Sequence, residues 1–188
     1  RSEFCSAWHD RVICRTLRAT RPRRKSPPRM ALTDIDINAI TEADLKAAIA
    51  EGLRLSMTLA FTPEAYNHPF VRDISSLANT NGGLMLVGIA EKDGVATGFA
   101  PLTGNPDAEM RDLATRLQTG IVPPVPGVLL RAISLAGGGL VVALRVPRSR
   151  QAPHSVSDPR DARSTLVYTR VVRGAIKMHP RAVDEWPW

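Results

Sequence analysis

Apolar positions along the chain switch between two periods, and the switches predict the elements. Leu45, Ala48 and Ile49 fall at helical spacing behind Thr41-Glu42-Ala43-Asp44, a capping threonine with acids in the first turn, so a helix opens there and Gly52 ends it. Leu53, Leu55, Met57, Leu59 and Phe61 then alternate with Arg54, Ser56, Thr58 and Ala60, which predicts one half-buried strand. After a loop over 63–69, helical spacing returns in Pro69, Phe70, Ile74, Leu77 and Ala78. Asn79-Thr80-Asn81-Gly82-Gly83 tolerates positive φ and stops that helix. Residues 84–89 are apolar with little alternation, as in a strand covered on both faces, which places it centrally in a sheet. Glu91-Lys92-Asp93-Gly94 reads as a hairpin turn into a strand over 95–99.

Farther along, Asn105-Pro106-Asp107 supplies a cap, a first-turn proline and an acid for a helix running to about Gln118. Pro123, Pro124 and Pro126 forbid its continuation. Residues 127–135 and 140–146 flank Ala136-Gly137-Gly138-Gly139 as a hairpin, and 166–172 form a further strand. The length of 188 residues suits one domain with a real core plus tails.

The stretch from Ser76 to Ile89 joins a helix end, a glycine turn and a buried strand without a spare residue. With its flanks it resembles the AlbA_2 domain of Schlafen-type proteins, which also occurs in many bacterial proteins taken for transcriptional regulators. The matching residues are Glu51, then 77–83 with Asn79, Gly82 and Gly83, then Gly88-Ile89 and Val122-Pro123-Pro124. Val146-Pro147, Pro153-His154, Tyr168-Thr169-Arg170 and Gly174 complete the set in the same order. The resemblance covers about residues 42–178 and implies an α+β fold, a mixed β-sheet flanked by two or three helices. Residues 30–41 then form a lead-in and 179–188 a C-terminal tail.

Charge changes the picture once it is located. The chain holds 25 Lys and Arg against 18 Asp and Glu, a net +7. Residues 1–29 carry nine of the bases and two of the acids, so the body that follows is neutral, with 16 of each. This opening segment also holds both cysteines, Cys5 and Cys14, lacks a sustained apolar period and ends in a run of Arg, Lys and Pro before Met30. It is expected to be a disordered basic tail, with Met30 as the natural start and the preceding residues as upstream sequence or a cloning remnant. A basic arm that grips phosphates is the functional alternative, and an Arg-rich organelle presequence a third. The body without cysteine fits a reducing cytoplasm, and no apolar run is long enough for a transmembrane helix.

Within the body, residues 131–181 hold ten bases against Asp158 and Asp161. Arg145, Arg148, Arg150, Arg170, Arg173 and Lys177 are therefore candidate phosphate ligands, with His154 and Tyr168 beside them. The ordinary alternative is a set of solvated strand-end charges. Arg170 and Arg173 lie three apart, so in one strand they face opposite sides, whereas Tyr168 shares a face with Arg170 and is the one candidate base-stacking aromatic.

Catalytic chemistry has less support. Some Schlafen-type relatives are RNases whose clustered acids hold a divalent cation, and the resemblance carries the first acid to Glu51. Ser56 stands where the second would be, Thr58 where relatives have Lys, and Glu91 or less directly Asp93 would have to supply the third. Two carboxylates make a poor metal cage, so no nuclease activity and no metal site are expected, and Glu51 reads as a surface acid at a helix end. A lone His154 needs a positioned substrate and an orienting partner to act as a base. No phosphate-binding loop, Gly-x-Ser-x-Gly elbow or His-Glu-x-x-His pair occurs, and no cofactor is expected.

The expectation is thus a non-catalytic module that binds DNA or RNA, mainly by backbone contacts, or regulates transcription. The rival is a protein-interaction domain, possible through a homodimer that sets the acidic half of one copy on the basic half of another. A degenerate metal-dependent nuclease comes third.

Overall fold

The computed structural model describes residues 31–64 and 68–185; the expected basic tail over 1–29 lies outside the described residues. A single 3-10 turn, Ile37–Ala39, precedes helix α1, Glu42–Ala50. The capping threonine read from the sequence is part of a full capping box: the Thr41 hydroxyl accepts from the Asp44 amide at 3.3 Å and the Asp44 carboxylate accepts from the Thr41 amide at 3.0 Å. There follow β1 (Leu59–Thr62), α2 (His68–Ala78), β2 (Gly83–Val87), β3 (Ile89–Lys92) and β4 (Val95–Phe99). Helix α3 (Pro106–Gly120) opens on Asn105, whose side chain accepts from the Asp107 and Ala108 amides. The remainder is β5 (Ile121–Val122), β6 (Leu129–Ser134), β7 (Leu140–Val146), β8 (Ser155–Asp158), β9 (Asp161–Val171), β10 (Gly174–Lys177) and α4 (Pro180–Glu185). No helix among the described residues is long and apolar enough to cross a membrane.

The mixed sheet has the order β1-β2-β7-β6, with β1 parallel to β2 and the other pairs antiparallel. One of its two middle strands, β2, lies in the apolar run without alternation that the pattern places centrally; the other is β7, an arm of the expected hairpin. Met85 and Val87 of β2, with Val142, Leu144 and Val146 of β7, join one core cluster, while Leu84, Leu86, Val141 and Ala143 join a second on the opposite face. The lead-in residues Leu32, Ile37 and Ile40 and α1 cover that second face.

Beyond the expected sheet the structure contains another four strands, antiparallel in the order β10-β9-β8-β5, and a separate β3–β4 hairpin. Helix α2 packs against strands of both larger sheets, so its residues 73–78 are all buried, not just one stripe. Among the described residues there are four α-helices, one more than the expected upper count, the fourth being six residues long.

The predicted strand over 53–61 is two pieces. Arg54 bridges Val95 and Leu55 donates to Gly94 at 2.9 Å, so the first piece runs beside the β3–β4 hairpin. The chain turns at 56–58 and only then enters β1, all four residues of which are buried instead of alternating. Side-chain period alone cannot register a turn that keeps the alternation on both sides of it.

Gly82 and Gly83 are required by close approach. A side-chain carbon on Gly82 would sit 2.6 Å from the Val146 carbonyl oxygen, and one on Gly83 would lie 2.1 Å from that of Thr58, in each case with positive φ. The start of β2 is held between the 56–58 turn and the exit of β7.

Candidate nucleic-acid interface

The basic stretch over 131–181 divides by what each guanidinium touches. Arg131 donates to the Ile37 carbonyl at 3.0 Å, and Arg145 donates to those of Thr33 and Ile35, both at 2.6 Å. Arg145 is thus occupied in fastening the lead-in across the mixed sheet, a correction to its expected place among phosphate ligands. Carbonyl oxygens of a segment with few ladder bonds need donors, and a five-donor fork supplies several at once.

Arg170 is a larger correction. It is 2% exposed, and Nε donates to Ser56 O at 2.9 Å while Nη2 donates to Leu59 O at 2.7 Å. Those two carbonyls bracket the turn that splits the predicted strand. Nη1 lies 3.6 Å from an Asp73 carboxylate oxygen and makes no hydrogen bond. Burial raises the Asp73 pKa even though the Arg72 and Arg170 guanidinium groups both act to lower it. The same burial pulls Arg170 down against the attraction of Asp73. This pair is a costly buried charge held by geometry, and no ligand can reach it.

Tyr168 and Arg170 share a strand face as expected, but that face turns inward on α2. Tyr168 is 9% exposed, belongs to the first core cluster and meets the His68 ring edge-on at 6.1 Å, with burial raising its pKa. It offers no base-stacking platform, which corrects that expectation.

His154 is fully buried, with Nδ1 2.6 Å from the Pro123 carbonyl oxygen. That contact requires the proton on Nδ1 and leaves Nε2 an acceptor, buried and without a partner among the described residues. Burial lowers its pKa, opposed by the bond to Pro123. His154 is therefore also withdrawn from the interface, as a neutral structural imidazole. Its backbone is gripped by Asn79, whose Oδ1 accepts from His154 N at 2.8 Å and whose Nδ2 donates to the carbonyls of His154 and Tyr168, both at 2.9 Å. Thr80 adds its hydroxyl as acceptor for the Arg170 amide at 3.0 Å. Side chains at the end of α2 thus continue the ladder beside β9 where β8 stops. Sequence reading assigned Asn79 to the helix stop and missed this tie, whose only signal is the Asn itself.

Arg148, Arg150, Arg173 and Lys177 remain. All four are exposed, and none makes a side-chain hydrogen bond or ion pair among the described residues. Arg160, Arg163 and Arg181 share that state. Arg148 and Arg150 flank buried Ser149, whose amide donates to Ala78 O at 2.9 Å and pins their loop to the end of α2. Arg173 lies in the β9–β10 turn, and Lys177 stands on the edge strand β10 opposite Tyr168. Asp158 and Asp161 do not neutralise them: their carboxylates accept from the amides of Arg160 and Arg163 and from the Ser164 hydroxyl, closing the β8–β9 turn.

The residual acids are kept apart. Glu51 caps the end of α1 and lines a cleft of about 580 Å³ beneath the lead-in. Glu91 lies on the hairpin, accepts from the Gly94 amide at 2.6 Å and borders a different groove of about 560 Å³. That second groove brings in Arg54, which sequence reading left as a strand's polar alternate, beside Arg173. Among the described residues no three His, Cys, Asp or Glu side chains converge on a metal-sized site.

The family model described as Schlafen, AlbA_2 matches residues 41–179 of this chain. Among solved structures, the N-terminal domain of a RecG-related protein from Nitrosomonas europaea is 15% identical, with a TM-score of 0.49 over 75% of this chain and 93% of that one. The DIP2311 protein from Corynebacterium diphtheriae is 18% identical, with a TM-score of 0.42 over 72% of this chain and 30% of that longer one. No curated protein matches the chain.

Proposed function

The chain belongs to the Schlafen AlbA_2 family, and we propose that it is a non-catalytic module that binds DNA or RNA through phosphate contacts. The observation behind this reading is the set of exposed, unneutralised cations: Arg148 and Arg150 on a loop pinned to the end of α2, Arg173 in the β9–β10 turn and Lys177 on the edge strand β10. Solvated cations without acidic partners exchange water and counterions for phosphate oxygens at little structural cost, and releasing the condensed counterions drives association. With Tyr168 packed inward there is no exposed aromatic from the candidate set to read bases, so contacts track the backbone.

The test is fluorescence anisotropy of the full chain with labelled DNA and RNA over a salt series, against a variant with Arg148, Arg150, Arg173 and Lys177 all changed to Ala. Four phosphate contacts correspond to a slope of log affinity on log salt of roughly −3 to −4. The variant, which keeps residues 1–29, is expected to lose about that much slope and most of the affinity. An unchanged slope and affinity would remove the site and leave any binding to residues 1–29.

A further inference from the structure

A strand at the edge of a sheet presents N–H and C=O groups that another strand can take, so stable folds cover or blunt their edges. Of the four edges of the two four-stranded sheets, three are managed in this way. At β1 the Leu59 carbonyl takes both the Arg170 guanidinium and the Ser56 amide. Strand β5 is two residues long and runs into Pro123 and Pro124. Strand β10 is four residues long, opens on Gly174 and ends on the exposed Lys177, and short length and lysine both discourage pairing. Strand β6 has none of these devices. Its six residues include no Gly, Pro or Lys, and its one charge, Arg131, is drawn onto the Ile37 carbonyl.

Which backbone groups of β6 point outward follows from its pairing with β7. The Leu135 amide donates to the Gly139 carbonyl at 3.0 Å, one step beyond the register pair Ser134–Leu140. Antiparallel pairs alternate between bonded and non-bonded, so Leu129, Arg131 and Ile133 bond to β7 while the N–H and C=O groups of Leu130, Ala132 and Ser134 point away from it. Those outward groups have no hydrogen-bond partner among the described residues. The side chains of Leu130 and Ala132 pack on the first core cluster and Ile133 lies in the second, which holds the strand in place from both faces. Leu129, at the start of the strand, is 55% exposed.

We propose that β6 pairs with β6 of a second copy of this chain, antiparallel about a twofold axis at Ala132. An isologous contact requires a surface that complements itself, and this edge does so in both hydrogen bonding and side chains. Leu130 exchanges its outward N–H and C=O with Ser134 of the second copy, and Ala132 with its own counterpart. Between those bonded pairs, Arg131 falls opposite Ile133 of the second copy and Leu129 opposite Leu135, so no charge meets a like charge and the exposed leucine gains an apolar neighbour. The two four-stranded sheets become one continuous sheet with β6 at its centre. This seam uses neither the acidic half of the chain nor the cations of the proposed nucleic-acid surface.

The experiment is sedimentation velocity of the full chain over a concentration series, together with amide hydrogen exchange read residue by residue by NMR. Wild type is expected to reach twice the chain mass as concentration rises. Over the same series the amides of Leu130, Ala132 and Ser134 should slow in exchange by about tenfold as dimer replaces monomer, while those of Arg131 and Ile133, bonded to β7, are protected throughout. Ala132→Pro removes only an outward N–H, which an edge strand tolerates, and should leave the chain monomeric. Leu129→Lys, at an exposed position, should raise the dimer dissociation constant about tenfold. Thermal unfolding midpoints at low concentration verify that both variants fold; if the proline variant does not, Leu129→Lys and the exchange of wild type decide. A wild type that remains monomeric throughout overturns the proposal. So does a dimer in which the amides of Leu130, Ala132 and Ser134 still exchange fast, or one that both variants leave unweakened, because such a dimer uses another surface.

Discussion

The seam between α2 and the second sheet and the rim that runs from the end of β7 to β10 draw on one basic stretch of sequence, and they use it in opposite ways. Arg170 in the seam and Arg173 on the rim are three residues apart. The first is buried on two backbone carbonyls and a carboxylate, and the second stands in a groove with no partner among the described residues. Arg145 and Arg148 show the same division at the end of β7. A guanidinium is drawn inward where backbone acceptors lack donors and left outside where strands and turns have satisfied their own. Local positive charge therefore does not equal binding surface. In this chain it marks both the places where irregular backbone had to be fastened and the places left for a ligand.

The strongest test of that contrast is to remove the seam's charge. Arg170→Met removes the guanidinium donors from the carbonyls of Ser56 and Leu59, the latter keeping only the Ser56 amide, and leaves the buried Asp73 carboxylate to Arg72 alone. It is expected to cost about 3–5 kcal/mol in denaturant unfolding, with Arg170→Lys recovering only part because an ammonium cannot span the same acceptors. Asn79→Ala comes next: it deletes the three hydrogen bonds to His154 and Tyr168 and should lower stability by about 2–3 kcal/mol.

Protonation of the seam is a gentler probe. His154 has its folded-state pKa lowered by burial, so the unfolded chain takes up the proton first as pH falls. Its contribution to stability is complete above the unfolded value of about 6.5 and is lost as the pH drops from there toward the folded value. The unfolding midpoint should decline over that range, and His154→Gln should flatten the decline. The smallest effect belongs to the rim. Arg148→Ala with Arg150→Ala should leave the unfolding midpoint where it was while weakening nucleic-acid binding several-fold. A rim variant that destabilised the fold as much as Arg170→Met would erase the distinction.

Much of the frame was legible from spacing. The buried strand at 84–87, the hairpin over 127–146 and the capped helices at Thr41 and Asn105 appear where the pattern puts them, because each is set by residues near in sequence; the expected run to Ile89 instead breaks at Gly88, φ 101°, and Ile89 opens β3 in the separate hairpin. Strands β8 and β10 were not legible. Ser155–Asp158 has one apolar residue, Val156, and Gly174–Lys177 is a short edge, so both owe their strand form to pairing with β9. Of the eight candidate interface residues, four remained at the surface; the other four, Arg145, His154, Tyr168 and Arg170, serve the fold.

The order of residues was enough to decide periods, caps and glycine turns, and even that Tyr168 and Arg170 share a strand face, since these depend on torsions and on neighbours a few positions away. Which face of β9 meets α2, which carbonyls at 33–35 and 56–59 lack donors, and which charges from 54, 93 and 173 border one groove were decided only when distant segments packed. Desolvation and partner geometry act through space, and they turned similar arginines into a structural clamp at 170 and an open cation at 173.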